Sequence, residues 1–279
     1  AAGGLDRPLF MQAEEYDPSF RLMHAGFDVR TCDDLHVDHL KSPTARTSSR
    51  AVFFDTRNNL WLTARYLPDD LSAIYWADWR QRYGWLARRG GHRWSWWRGA
   101  LAARLDYRNQ RMRFMAQRLS PTAIEKLFHL KYVERAMQAL YDSGVRRILL
   151  ADLGKNVHAF TRGAERAGLA ITAIADDYFT APGRTYRGLA IVPFELGLRQ
   201  EFDAIVIATT SPEQARRTQQ RLRAATDVPV HRWFDYTIPP VDADTSGPAA
   251  TNGRPARQRI STHTGSIIQM PNSGCTGRV

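Results

Sequence analysis

The chain has 279 residues and a formal net charge of +11, and only four of its 39 basic residues are lysines. Cys32 and Cys275 stand far apart, and no run of about 18 apolar residues occurs, which excludes a disulfide framework and a membrane-spanning helix. The length allows two domains, or one domain with appendages, and the cysteine content favours a reducing, cytoplasmic setting. An arginine-rich composition of this kind reflects codon bias more often than DNA binding.

Residues 1–60 are predicted to form the mixed end of an α/β domain. Pro18 fits the first turn of a helix capped by Asp17, and Gly26 is a plausible end for it. Residues 27–31 alternate like a short strand.

Residues 61–144 are predicted to be helical, aromatic and basic. Seven of the eight tryptophans lie here, and the stretch 81–120 holds ten arginines and one acid, Asp106. A helical stripe of apolar residues is predicted to face one side: Leu101, Leu105, Met112, Met115 and Leu119. A further helix opens at Pro121 and ends at Gly144.

Residues 145–235 alternate between strand and helix patterns. Strands are predicted at 148–151, 169–175, 188–192, 204–208 and 228–234, with helices at 155–167 and after the capping box at 211–214. Such alternation predicts a small, parallel, doubly wound sheet. Residues 236–279 are rich in Gly, Pro, Ser and Thr and are predicted to be a disordered tail.

The most informative segment is 3–26. It reads Gly3-Gly4-Leu5-Asp6, then Leu9-Phe10-Met11, Glu14-Glu15-Tyr16-Asp17, Arg21 and Ala25-Gly26. This order and spacing resembles the segment of inverting family 2 glycosyltransferases that carries the catalytic base, where G-G-[FL]-D leads to E-D-x-D, an Arg and A-G. Downstream, Arg57-Asn58-Asn59-Leu60 is similar to the R-N motif of that family.

The resemblance implies roles for several residues. Glu15 occupies the position of the base that takes a proton from the acceptor hydroxyl, although the family usually has Asp there. Asp17 occupies the second acid, Arg21 would help to shape the acceptor side, and His39 would lie near the leaving diphosphate. The alternative for Glu15 and Asp17 is an acidic first helical turn that complements the helix dipole.

Metal ligands are a separate question. His36, Asp38 and His39 could be read as an independent metal site, but spacing supplies no fourth ligand; a structural His39 is the other alternative. The family binds its donor and a divalent metal, Mg or Mn, through an amino-terminal half with a D-x-D. The sequence lacks that half, so we expect the metal in a full-length parent alone and expect this chain to be inactive alone.

The second unit resembles the small Rossmann-like domains of nucleotide-sugar-modifying proteins. The matching pieces are residues 149–154, Asp176-Asp177, residues 188–193 and residues 204–208. A G-x-G-x-x-G fingerprint would fall on 152, 154 and 157, where only Gly154 is a glycine, so NAD binding is not expected. Lys155 and Asn156 at the helix start could bind an anionic group, with Asp177 after the second strand.

The Arg-Trp stretch from Arg88 to Arg98 fits the surface of an anionic membrane, where tryptophans lie at the interface and arginines meet lipid phosphate. Nucleic acid is the less favoured partner for this stretch. For most of the tryptophans, the alternative is that they pack inside a helical hairpin.

The resemblances thus imply part of a bacterial-type, GT-A glycosyltransferase at 1–60 and a Rossmann-like domain at 145–235, and the sequence pattern predicts a helical segment at 61–144 and a tail at 236–279. The parent activity would be inverting transfer from a nucleotide-sugar to a cell-envelope polysaccharide or a lipid-linked acceptor, at the inner face of the membrane. The alternative is a non-enzymatic module that binds a nucleotide or sugar nucleotide and docks on a membrane or a partner.

Overall fold

The computed structural model describes residues 4–29 and 48–233. The first part of the described chain is helical, with side-chain caps from Ser48 and Ser120 at two helix starts. The helices before the sheet are α1 (Tyr16–His24), α2 (Ser49–Tyr66), α3 (Asp69–Arg89), α4 (Arg93–Leu105), α5 (Tyr107–Arg113), α6 (Pro121–Phe128) and α7 (Leu130–Asp142).

The second part forms a six-stranded sheet among the described residues. Its strands are β1 (Arg147–Ala151), β2 (Ala170–Ala175), β3 (Thr185–Tyr186), β4 (Leu189–Val192), β5 (Ala204–Ile207) and β6 (Val230–Arg232). They are joined by α8 (Val157–Ala167), α9 (Phe194–Gly197) and α10 (Pro212–Arg223). The order is β3-β4-β2-β1-β5-β6, and β3 alone pairs antiparallel, with β4.

Helices cover both faces of this sheet. Leu149 and Ile205 face α9 and α10, whereas Leu150 and Val206 face the helices of the first part. The larger core is continuous from Leu9 to Trp233 and includes residues of α1, α2, α3, α7 and α8. The helical part therefore lies on the sheet and shares one core with it.

The close packing of α4 on α2 depends on a glycine. A Cβ on Gly99 would lie 2.6 Å from the backbone oxygen of Phe53, closer than real Cβ atoms come. The inner face of α4 is completed by two small residues, Ala100 and Ala103. Small residues allow two helix backbones to approach closely.

Most predicted elements of residues 145–235 are confirmed, and the α/β class is confirmed with them. The sheet is mixed and not wholly parallel, because a two-residue hairpin adds β3 at its edge. The boundary predicted at residue 60 lies inside the unbroken helix α2. Residues 27–29 form no strand; positions 30–31 and the tail at 236–279 lie outside the described residues.

The apolar residues predicted to face one side differ in their burial. Leu119 is buried, but Leu101, Leu105, Met112 and Met115 are exposed. None of the helices in the described ranges combines the length and apolar character needed to cross a bilayer.

Candidate functional site

The first cluster joins two acids of the amino-terminal motif to a buried arginine. Arg65 in α2 has no solvent exposure. Its Nη1 donates to Asp17 Oδ1 at 2.8 Å, and its Nη2 lies 2.8 Å from Asp6 Oδ2. Tyr66 donates its hydroxyl to the same Asp17 oxygen at 2.6 Å, and Arg21 Nη2 lies 2.8 Å from Asp17 Oδ2. Asp17 is thus a fully buried carboxylate that fixes α1 to α2 through charge-assisted bonds.

The loop before Glu15 has an unusual backbone. Three of its residues have φ between 58° and 64°, which L-residues rarely adopt: Phe10, Gln12 and Ala13. The buried Asn58 amide nitrogen lies within hydrogen-bond distance, 2.7–2.8 Å, of the carbonyl oxygens of residues 9, 11 and 12. Arg57 donates to the carbonyl of Pro8. The R-N pair therefore holds the loop that presents Glu15, and enforced strain of this kind collects at functional sites.

The second cluster surrounds Lys155, in the loop between β1 and α8. Its ammonium lies 5.5 Å from the ring centroid of Tyr16, 5.7 Å from that of Trp79 and 5.6 Å from that of Tyr83. These are cation–π distances. One ring comes from α1 and two come from α3, so the cluster forms only when the helices pack on the sheet.

Two carboxylates complete this second cluster, which we call the lysine cage. Asp55 in α2 accepts from Asn59 Nδ2 at 2.9 Å and interacts electrostatically with Tyr83. Asp55 and Glu15 both interact electrostatically with Lys155. Asp55 is half-buried, whereas Glu15 is exposed at the start of α1. Two residues predicted from separate motifs, Glu15 and Lys155, therefore interact electrostatically.

Burial controls the protonation equilibria in the lysine cage. It lowers the pKa of Lys155 from 10.5 to about 8, against the attraction of Asp55. Burial raises the pKa of Asp55; the like charge of Glu15 adds to this, and Lys155 opposes it. Burial also raises the pKa of the Tyr16 and Tyr83 hydroxyls, which keeps both neutral at physiological pH. Shifts produced by burial together with a charge partner mark candidate functional sites.

The lysine cage combines an exposed carboxylate with an enclosed cation. Glu15 offers a carboxylate that can accept a proton from a hydroxyl. The rings of Tyr16, Trp79 and Tyr83 are buried, with 6%, 2% and 3% exposure, so they enclose Lys155 and present no open aromatic face to a ligand.

The loop after β1 contacts helices where a nucleotide was predicted. A Cβ on Gly154 would lie 2.8 Å from the carbonyl oxygen of Ala208, so packing against β5 requires the glycine. The carbonyls of Leu153 and Lys155 accept from Arg82 and Trp79 of α3, at 2.7 and 3.2 Å. The space left between this loop and α3 is about 20 Å³, roughly the size of one water.

The remaining nucleotide-site predictions also fall on residues with internal contacts. Asn156 is buried; it accepts from the hydroxyl of Tyr75 at 2.6 Å and donates to the carbonyl of Phe128 at 2.8 Å. Asp177 accepts from the backbone of Phe194 at 2.9 Å and pairs with Arg221 at 2.6 Å. Asp177 therefore contacts α9 and α10 and is not part of the lysine cage.

Within residues 4–29 and 48–233, no group of three or more His, Cys, Asp or Glu side chains is arranged to hold a metal ion. His36, Asp38 and His39 lie outside the described residues. The described residues do not provide a metal site, and we derive no step through a metal.

Sequence reasoning missed Arg65, Asp55 and Tyr83. Arg65 is one of many arginines, and its partners Asp6 and Asp17 are distant in sequence. One signal was available, since Arg65 follows the R-N motif by two helical turns and so lies on the same face as Asn58.

Comparison of the chain with protein-family models, with curated proteins and with solved structures finds no match.

Proposed function

We propose that this chain forms the acceptor side of an inverting glycosyl-transfer site in which Glu15 is the base. The observation that carries the proposal is the mutual contact of the motif residues. Asp6 and Asp17 meet at Arg65, Arg21 pairs with Asp17, and Asn58 holds the strained loop. Glu15 is the acid left exposed at the start of α1.

The mechanism assigns one proton transfer to Glu15. Its carboxylate takes the proton from the acceptor hydroxyl as that oxygen attacks the anomeric carbon of the donor. The bond from that carbon to the diphosphate oxygen breaks, its electron pair leaves with the nucleoside diphosphate, and the configuration inverts. Asp17 and Arg21 position α1, and the buried rings around Lys155 fix its ammonium close to the start of that helix.

The fold assignment belongs to the same proposal. We assign the sheet of residues 147–232 to the Rossmann-like type, supported by the order β4-β2-β1-β5-β6 of parallel strands and by helices on both faces. We assign residues 4–29 to the end of a GT-A domain on the motif contacts. The alternative of a nucleotide-binding module has less support, because Gly154 and Asn156 contact neighbouring elements.

The test is sugar transfer by the chain as printed and by the longest open reading frame that contains it. UDP- and GDP-sugars are supplied with glycan and lipid-linked acceptors, and release of nucleoside diphosphate is followed. Replacing Glu15 by Gln should lower kcat by a factor on the order of 10²–10⁴, which is the range for a general base. Glu15→Asp, which restores the residue usual in the family, should keep measurable activity.

A matched control is Glu195→Gln, which changes an exposed acid on α9. It should leave kcat unchanged. Transfer that survives Glu15→Gln at the wild-type rate would show that Glu15 is not the base. Absence of transfer with every donor in both chains would reject the proposed function.

A further inference from the structure

The outer face of α4 exposes large apolar side chains. Trp94, Trp97, Leu101 and Leu105 are 66%, 47%, 39% and 75% exposed. Their spacing of three and four residues places them in one row along the helix. The rings of Trp94 and Trp97 stack on each other, with centroids 4.9 Å apart. We call this row the α4 stripe.

The α4 stripe is not a core face that happens to be loosely packed. The opposite face of α4, with Gly99 and Ala103, is buried, and Gly99 lies against α2. The helix therefore has a small-residue face inside and a large apolar face outside. A contiguous exposed apolar face on a packed helix marks an interaction surface.

Cations accompany the α4 stripe. Arg93, Arg98 and Arg104 lie on the same helix and are exposed. None of them forms an ion pair with a carboxylate of the described residues, although many other arginines of the chain do. Their charge is thus available to an anionic partner.

A cleft opens beside the α4 stripe, between α3 and α4. Its volume is about 300 Å³, and it is lined by Trp97 and Leu101 of the stripe together with Trp76, Arg80, Trp96, Ala100 and Arg104. No acidic side chain is among these lining residues. Arg80 and Arg104 can bind a phosphate group at the edge of the apolar row.

We propose that the α4 stripe docks this protein on a bilayer that contains anionic phospholipid. The helix lies in the plane of the interface, with its apolar row among the upper acyl chains and its arginines at the lipid phosphates. Trp94 and Trp97 lie at the depth of the headgroups, where tryptophan is enriched in membrane proteins.

The composition of the stripe decides between lipid and nucleic acid. Leu101 and Leu105 are aliphatic and have no face on which a base can stack. Trp94 and Trp97 already stack on each other. Transfer of aliphatic surface from water to acyl chains lowers the free energy. A lipid surface therefore matches the stripe better than a nucleic acid does. Docking does not involve Glu15, so it can succeed or fail independently of the proposed function.

The test is co-sedimentation of the purified chain with sonicated vesicles. Phosphatidylcholine vesicles with about one third phosphatidylglycerol are compared with pure phosphatidylcholine. We expect binding to the anionic vesicles, with a blue shift of tryptophan emission, and much weaker binding to the neutral ones. At about 1 kcal/mol per arginine, the triple variant Arg93→Gln/Arg98→Gln/Arg104→Gln should bind on the order of a hundredfold less tightly.

The apolar row has its own variant and control. Trp94→Gln/Trp97→Gln/Leu105→Gln should lose the blue shift and bind at least about tenfold less tightly. Leu196→Gln, an equivalent change of a half-exposed leucine on α9, should bind like the wild type. Because these side chains are at the surface, the variants should fold, which a circular dichroism melt checks.

Three outcomes would overturn the proposal. The first is equal binding to neutral and anionic vesicles, or none to either. The second is tighter binding to a single-stranded oligonucleotide that the triple arginine variant removes. The third is a wild-type dimer, seen by analytical ultracentrifugation, that dissociates when the apolar row is changed.

Discussion

At the scale of single residues, the candidate site depends on charged side chains that are buried away from water. Arg65 is a fully buried cation, neutralised by Asp6 and Asp17. Such pairs need every partner, because removing one leaves an uncompensated buried charge. Glu15 differs from Asp17 in this respect, since it is exposed and free of the network. The two acids of one motif therefore have different environments, and under the proposed function Asp17 is structural and Glu15 is the base.

Lys155 gives a prediction about pH. Its pKa is about 8 in the fold and 10.5 when unperturbed. Between these values the unfolded chain holds more protons than the folded chain, so the free energy of unfolding rises with pH. The free energy of unfolding of the wild type, relative to that of Lys155→Met, should therefore increase by roughly 1–2 kcal/mol between pH 8 and pH 9.5. Urea unfolding at each pH measures this difference.

The comparison removes the contribution of the buried tyrosines, which both proteins share. Lys131→Met changes an exposed lysine on α7 and should keep the pH dependence of the wild type. Parallel stability curves for wild type and Lys155→Met would show that the lysine cage does not perturb Lys155.

At the scale of elements, two mid-helix glycines make a matched pair. Through helix propensity alone, replacing either glycine by Ala should stabilise the folded protein by about 1 kcal/mol. A Cβ on Gly99 would lie 2.6 Å from the backbone oxygen of Phe53, whereas a Cβ on Gly84 would lie 3.0 Å from the ring of Trp96. The backbone of α2 cannot move aside as easily as a side chain can. Gly99→Ala should therefore lower the free energy of unfolding by roughly 2 kcal/mol net.

Gly84→Ala should change the stability by less than about 1 kcal/mol, because the indole of Trp96 can shift. Both stability changes are measured from the midpoints of denaturant unfolding, provided that the dependence of the unfolding free energy on denaturant is the same for each variant. If the two variants were equally stable, close contact of α4 with α2 would not be what requires Gly99.

The elements also show what a sequence can predict. The buried strands of the sheet appear as short apolar runs, such as residues 148–151, because burial on both faces is encoded locally. The buried face of α4 is not encoded locally in this way. Which side of a helix is buried depends on its neighbour, and Gly99 lets the small-residue face pack on α2.

The candidate site was predicted in part. Glu15 and Lys155 were named from separate motifs, but their common environment was not predicted. It depends on rings from α1 and α3 that pack over the β1–α8 loop. Contacts between residues so distant in sequence leave no periodic signal.

At the scale of the whole molecule, the helical part and the sheet share one core, which runs from Leu9 to Trp233. Polar contacts reinforce this packing. Tyr75 of α3 donates to Asn156, and Arg82 donates to the carbonyl of Leu153. We therefore expect one cooperative unfolding transition. Under native-state hydrogen exchange, the amides of Leu62 in α2 and Leu149 in β1 should reach the same limiting free energy.

Tyr75→Phe sharpens this last prediction, because it removes one hydrogen bond between the two parts and leaves the ring in place. It should lower the limiting free energy of both amides by the same amount, about 1–2 kcal/mol, since the buried Asn156 oxygen loses its donor. Tyr107→Phe, which removes a contact within the helical part, is the matched control for the size of such a change. A loss confined to Leu149, or two separate transitions in urea, would show that the helices and the sheet fold independently and that the lysine cage forms by docking of two stable parts.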